Sequence, residues 1–213
     1  MKLKSFANFV FAAATLTTAG PIHPRADVSS TTTFDQIRIP FPNRVGAQVN
    51  QLLGNTPLNF TDISTGNSRG VVTVGITPSS GANVGVSLQD NNAAQSTIRI
   101  PRRSNVTSFD LESFRFGCVY GGLSGTDPKG VSICIVGVNG YRNGWRVANQ
   151  VFTFNPGRVT KNTLVPARLS TSFQNIHSVL FATVYSASIT SGGATYFDDV
   201  KITAHSGNTT SAT

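Results

Sequence analysis

The chain has 213 residues and a formal charge of +8, with 12% charged residues, 39% hydrophobic residues and two cysteines. It has one domain's length, and it is too apolar to be disordered, too poor in cysteine for a disulfide scaffold and free of the internal period of a solenoid or propeller. Ser, Thr and Asn far outnumber the nine acidic residues, the balance of an exported all-β protein whose surface is solvated by hydroxyls and amides.

Lys2 and Lys4 precede an apolar run from Phe6 to Leu16, and Thr17-Thr18-Ala19 offers a small-residue cleavage site before Gly20. This is the pattern of a secretory signal peptide over residues 1–19. The run is short of the roughly 20 apolar residues of a membrane span. Removing it takes away two lysines and no acid, leaving 15 − 9 = +6. Residues 20–33 are expected as a short propeptide or linker, with Arg25 a trimming site.

From there the hydrophobic pattern repeats every two residues rather than every 3.6, and turn residues separate the runs. Strands are expected over 71–76, 84–88, 97–100, 108–120, 131–138, 146–154, 163–169, 179–185 and 195–203, with no helix. Asn139-Gly140 and Asn143-Gly144 are hairpin-turn dipeptides bracketing Tyr141 and Arg142. Pro156 marks a loop and Pro166 an edge strand. Such spacing predicts a single antiparallel β-sandwich over 34–204, with 205–213 a flexible tail.

Cys118 and Cys134 lie on two alternating runs joined by a Gly/Asp/Pro loop. Folding that hairpin about Thr126 sets the sulfurs opposite one another, so one disulfide is expected in an oxidising compartment. Asn59, Asn105 and Asn208 head Asn-x-Thr sequons and are glycosylation acceptors in a eukaryotic secretory route.

The runs Phe109-Asp110-Leu111-Glu112-Ser113-Phe114-Arg115-Phe116-Gly117-Cys118, Gly140-Tyr141-Arg142-Asn143-Gly144 and Tyr196-Phe197-Asp198-Asp199-Val200-Lys201-Ile202 carry a resemblance over the C-terminal half. The chain resembles a group of largely uncharacterised secreted fungal proteins, similar in pattern to galactose-binding-like jelly rolls, the fold of many carbohydrate-binding modules. Phe34-Asp35-Gln36-Ile37 matches the early strand of that fold. Where the group has a Gly-Leu-Trp segment soon afterwards, this chain has Pro40-Phe41-Pro42-Asn43-Arg44 and no Trp. The resemblance brings the first and last strands together, and with them Asp35, Asp198 and Asp199 as oxygen ligands for a structural Ca²⁺. The alternative is that Asp198 or Asp199 caps a turn or bonds backbone at the sheet end. No other cofactor is expected.

Sugar binding needs aromatic faces and a few planar polar groups. Trp145, the sole tryptophan, stands beside the Asn143-Gly144 turn with Tyr141 and Arg142. It is either an exposed platform at a hairpin tip or the start of a strand packed into the sandwich edge. Tyr120, at the mouth of the cysteine loop, is a further candidate. Asp110 and Glu112 point to one face of a strand, as the carboxylate pair of a glycosidase would, but no hydrolase triad or metalloprotease motif accompanies them. His23, His177 and His205 fall in the trimmed segment, at a strand start and in the tail.

Arg99, Arg102 and Arg103 form the one basic focus. They are read as charge guarding a sheet edge, with a dibasic processing site and an anion-attracting edge as alternatives. The expectation is a non-catalytic protein outside the cell or in its wall, binding a polysaccharide or glycoprotein and no nucleic acid. A protein-interaction or effector role is the second reading, and a glycan-active hydrolase the third.

Overall fold

The computed structural model describes residues 27–35, 45–48, 58–67, 75–89, 95–120, 130–131, 133–157, 162–185 and 193–207. The period-two runs become strands. They are β1 (Asp27–Thr32), β2 (Val45–Gln48), β3 (Asn59–Thr61), β4 (Ser64–Asn67), β5 (Ile76–Thr77), β6 (Asn83–Gln89), β7 (Gln95–Arg99) and β8 (Val106–Tyr120). There follow β9 (Gly130–Val131), β10 (Cys134–Arg142), β11 (Trp145–Phe154), β12 (Asn162–Thr163), β13 (Val165–Arg168), β14 (Ser178–Tyr185) and β15 (Gly193–Ser206). The one helical segment among the described residues is a single 3-10 turn, Thr171–Phe173, so no helix there is long and apolar enough to cross a membrane.

Two antiparallel sheets pack face to face. The larger runs β13-β8-β15-β6-β4-β2, with β1 also on β15 and β9 on β8, and the smaller runs β11-β10-β14-β7-β3. From β6 to β8 the chain changes sheet at each connection, and it does so again through β13, β14 and β15, the crossing pattern of a jelly roll. Phe residues from both inner faces make the core: Phe114 meets Phe181 edge-on at 5.3 Å, and Phe152 likewise at 5.7 Å. Each such ring contributes about 1.5–3 kcal/mol through burial, the main term holding the sheets together.

The expected disulfide joins Cys118 to Cys134 with Cα atoms 6.1 Å apart. A hairpin leads into it, since Val119 pairs with Val131 and Tyr120 with Gly130. The chain then leaves that sheet, and Cys134 opens β10 in the other. The bridge therefore ties the two sheets through the interior, both residues being fully buried. It contributes about 3 kcal/mol by closing this loop in the unfolded chain.

Other local expectations shift. Asn139 and Gly140 lie inside β10, opposite Asn149 and Ala148, and the hairpin turn is made by Asn143 and Gly144 alone. Both turn residues have positive φ, 51° and 81°, the geometry that matches the twist of the flanking strands. The linker expected over 20–33 supplies β1 at its C-terminal end, because Asp27 to Thr32 pair with His205 to Val200. That pairing takes His205 out of the expected tail and into β15, and Ser206 follows by pairing with Val106 of β8. Pro166 does sit on an edge strand, β13. The signal peptide, His23, Arg25, residues 71–74 and Asn208 lie outside the described residues.

β15 changes partner along its length. Its first part pairs with β6, its last part with β1, and the register on β8 breaks between Asp198 and Lys201. Asp199, with φ 48°, sits in that break. There β1 ends and β6 begins, side by side along β15.

Candidate ligand-binding face

Strand register sets one polar row across the whole smaller sheet. Arg146 faces Tyr141, Tyr141 faces Ser178, Ser178 faces Arg99, and Arg99 faces Asn59. The adjacent row, Ala148, Gly140, Val179, Ile98 and Phe60, is buried throughout. Because successive side chains point to opposite faces, the first row points outward. Five strands at about 4.8 Å spacing make it roughly 19 Å long. One step inward along the strands, Asn149 donates from Nδ2 to Asn139 Oδ1 at 2.9 Å, adding a planar amide pair to the same face.

Trp145 stands one position beyond this row, opposite Arg142 at the hairpin tip, so the same alternation turns its ring away from the face that carries the row. It is 79% exposed, so it is not packed into the sandwich edge. The tip is held from behind. Arg142 donates from Nε to Asn175 O at 2.9 Å and from Nη2 to Gln174 O at 3.0 Å, while the Asn143 amide donates to His177 Nδ1 at 3.2 Å. His177 in turn donates its amide to Tyr141 O and accepts from the amide of Ile100, which links the tip to the end of β7. Arg142 thus positions the hairpin rather than standing free as a ligand group. Of Tyr120 only the backbone is described; it lies at the disulfide end of the sandwich, a strand length away from Trp145 and Tyr141, and is not brought together with them.

At the far end of the row an open pocket of about 710 Å³ is lined by Asn59, Arg99, Ile100, Pro101, Arg102, Arg103 and Ser104. The turn that forms it is closed by Ser104 N donating to Pro101 O at 3.3 Å, with Arg103 at φ 68°.

The three aspartates do not form one cluster, and each is turned to its own partners. Asp198 is fully buried and accepts from the amides of Ser79 and Ser80 at 2.9 and 3.0 Å, from Ser80 Oγ at 3.1 Å and from the Asp199 amide at 2.9 Å. Asp35 Oδ1 accepts from the amides of Ala82 and Asn83 at 2.6 and 2.9 Å. Asp199 pairs with Arg115 at 3.3 Å. Asp198 and Asp35 between them pin the loop that enters β6, while Asp199 ties the split in β15 to β8. Amide hydrogens occupy the carboxylates where a cation would need further oxygen ligands, so the residues do not fit the calcium expectation. Among the described residues no cluster of three or more His, Cys, Asp or Glu is placed to hold a metal.

Asp110 and Glu112 share a face of β8, but each is engaged elsewhere. Asp110 Oδ1 accepts from the Asn175 amide at 2.7 Å and lies 2.8 Å from His205 Nε2. Glu112 takes Lys201 Nζ at 2.6 Å and Thr203 Oγ1 at 2.7 Å, and these two bonds hold its carboxyl below the usual range. Both carboxylates are thus tied to β15, and Asp110 also to the Asn175 amide.

No family model and no curated protein matches this chain. Among solved structures it is similar to a DUF4465 family protein from Bacteroides caccae, at 12% identity and TM-score 0.49, over 81% of this chain and 98% of that one. It is also similar to TmCBM61, solved in complex with β-1,4-galactotriose, at 10% identity and TM-score 0.33, over 69% and 88%.

Of the sequons, Asn105 is exposed at the foot of β8, whereas Asn59 is half-buried in the arginine-lined pocket. The grouping of Asn59 with Arg99 was invisible in the sequence, since they lie forty positions apart and only the β3–β7 register unites them. His205 likewise belongs to β15 rather than to the expected tail. The alternation of Ile202 and Ala204 leading into it was the available signal.

Proposed function

We propose that this protein is a secreted, non-catalytic glycan-binding protein that takes a sugar chain over its exposed hairpin tip and across the outer face of its smaller sheet. The exposure of Trp145 beside the Arg146–Tyr141–Ser178–Arg99–Asn59 row carries the reading. A large aromatic left in water at a braced hairpin tip costs hydrophobic free energy that a stacked ligand recovers, and planar amides and hydroxyls beside it suit hydroxyl pairs on a sugar. The leader pattern and the buried disulfide support an extracellular or cell-wall location, with the glycans those of a wall or host surface.

A glycan array with the mature, disulfide-bonded protein tests this, followed by titration of any hit with Trp145→Ala and Tyr141→Ala. Each substitution lowers affinity about tenfold or more, and Trp145→Ala leaves Tm unchanged because the ring touches little of the fold. No binding to any glycan, or binding indifferent to both changes, defeats the reading.

A protein partner is the second reading. It draws on the other end of the same outer face, where Ile135, Val151 and Val184 are 45%, 56% and 63% exposed. It predicts that Val151→Lys abolishes binding to a purified surface glycoprotein without affecting free oligosaccharides.

A further inference from the structure

We propose that the pocket lined by Asn59, Arg99, Arg102, Arg103 and Ser104 binds the carboxylate or sulfate groups of an acidic polysaccharide. This deepens the glycan reading and rests on it.

Three observations lead there. First, the edge-guarding role expected for these arginines does not fit the sheet. β7 runs between β14 and β3, so Arg99 sits on an interior strand and the edge belongs to β3. Second, among the described residues none of the three guanidiniums lies within ion-pair distance of a carboxylate, whereas Arg115 and Lys201 each have one. Three like charges around one concavity repel one another, and an anionic group relieves that while offering paired acceptors to the guanidinium forks. Third, Arg103 occupies a left-handed turn position at φ 68° that glycine or asparagine fills without strain. The turn itself has no need of an arginine there, and the side chain is what the backbone strain secures.

The pocket closes the same outward row that begins with Arg146 and Tyr141 at the hairpin. A chain lying across the strands over Tyr141 and Ser178 would present an acidic substituent to Arg99 about 14 Å from the start of the row. That continuity singles out a polysaccharide among polyanions.

The experiment is calorimetric titration of the mature, disulfide-bonded protein, freed of N-glycans so that Asn59 is bare. Its ligands are oligogalacturonate, a sulfated galactan oligosaccharide, and the carboxyl-reduced and desulfated counterpart of each. The acidic ligand is expected to bind at least about tenfold tighter than its neutral partner, with the advantage shrinking as salt is raised. Arg102→Gln and Arg103→Gly are each expected to cost about tenfold for the acidic ligand and nothing for the neutral one, and Arg99→Gln, which also lies in the sugar-binding row, to cost clearly more for the acidic ligand than for the neutral one. Arg103→Gly is also expected not to lower Tm, which separates lost recognition from lost folding. Preference for uronate or for sulfate supports the proposal with either anion and names it. Equal affinity for acidic and neutral partners with inert arginine variants overturns the proposal and leaves the glycan reading standing. Failure of every oligosaccharide overturns both. A DNA duplex or phosphatidylserine vesicle bound as tightly as the acidic sugar also overturns it, since the pocket would then read charge alone.

Discussion

The buried carboxylate of Asp198 grips Ser80 twice, taking its amide at 3.0 Å and its hydroxyl at 3.1 Å. Burial pushes the Asp198 carboxyl above the ordinary range, with the neighbouring Asp199 charge adding to the rise. The hydrogen bonds from the Ser80 and Asp199 amides and the Ser80 hydroxyl oppose it. The folded protein therefore holds this proton more tightly than the unfolded chain does, and stability falls as pH rises from the ordinary aspartate value to the raised one. Asp198→Asn removes that limb of the profile, visible as urea midpoints that stay level across the window. Asp198→Ala leaves several donors without an acceptor and costs about 3 kcal/mol. A variant whose pH profile overlays the parent's would contradict this account.

Tyr185 governs the alkaline side. Burial raises its phenol to about 12, against the lowering effect of its contact with Thr195 Oγ1 at 3.2 Å, and burial raises Tyr196 to about 12 as well. Both groups hold their protons above the ordinary value of 10.0, so the fold is unaffected below that value and loses stability as pH climbs toward 12. Tyr185→Phe keeps the ring, costs about 1 kcal/mol at neutral pH through the lost hydroxyl contact, and shallows the alkaline decline. Thermal melts at rising pH measure both effects, and an unchanged alkaline slope would count against them.

His205 clamps three strands. Its Nδ1 lies 2.6 Å from Asp27 on β1 and its Nε2 2.8 Å from Asp110 on β8, with β15 between. His205→Ala is expected to lower stability by about 2 kcal/mol and to speed amide exchange selectively over residues 28–32, because β1 loses its side-chain tie to the rest of the sheet. Uniform exchange across all strands would show instead that the clamp does nothing particular for β1.

Much of the architecture was legible because side-chain alternation in a strand is local. The runs over β8, β10, β11, β14 and β15 announce themselves by what alternates with what, the Asn143-Gly144 pair by its tolerance of positive φ, and Pro166 by its missing amide. The pairing of Cys118 with Cys134 was legible too, but the local view set it across a hairpin and could not see β10 cross to the facing sheet. Asn139-Gly140 has the same turn chemistry as Asn143-Gly144, and nothing nearby tells which pair bends. The longer pairing with β11 and β14 decides it, carrying the strand through the first and stopping at the second.

The candidate site depended on tertiary structure far more. The resemblance implies Asp35 and Asp198 as oxygen ligands, and the loop before β6, distant in sequence, turns amide hydrogens onto them instead. Composition could not say whether Trp145 is buried: it begins the edge strand β11 and stands at the hairpin tip at once, and only the packing around it leaves the ring in water. The sequence by itself determined the strand character, the disulfide partners and the basic excess, all set by nearest neighbours or by counting. Tertiary structure alone decided that Asn59 and Arg99 share a row and that three arginines surround one pocket, because register between strands is fixed by long-range hydrogen bonds and core packing.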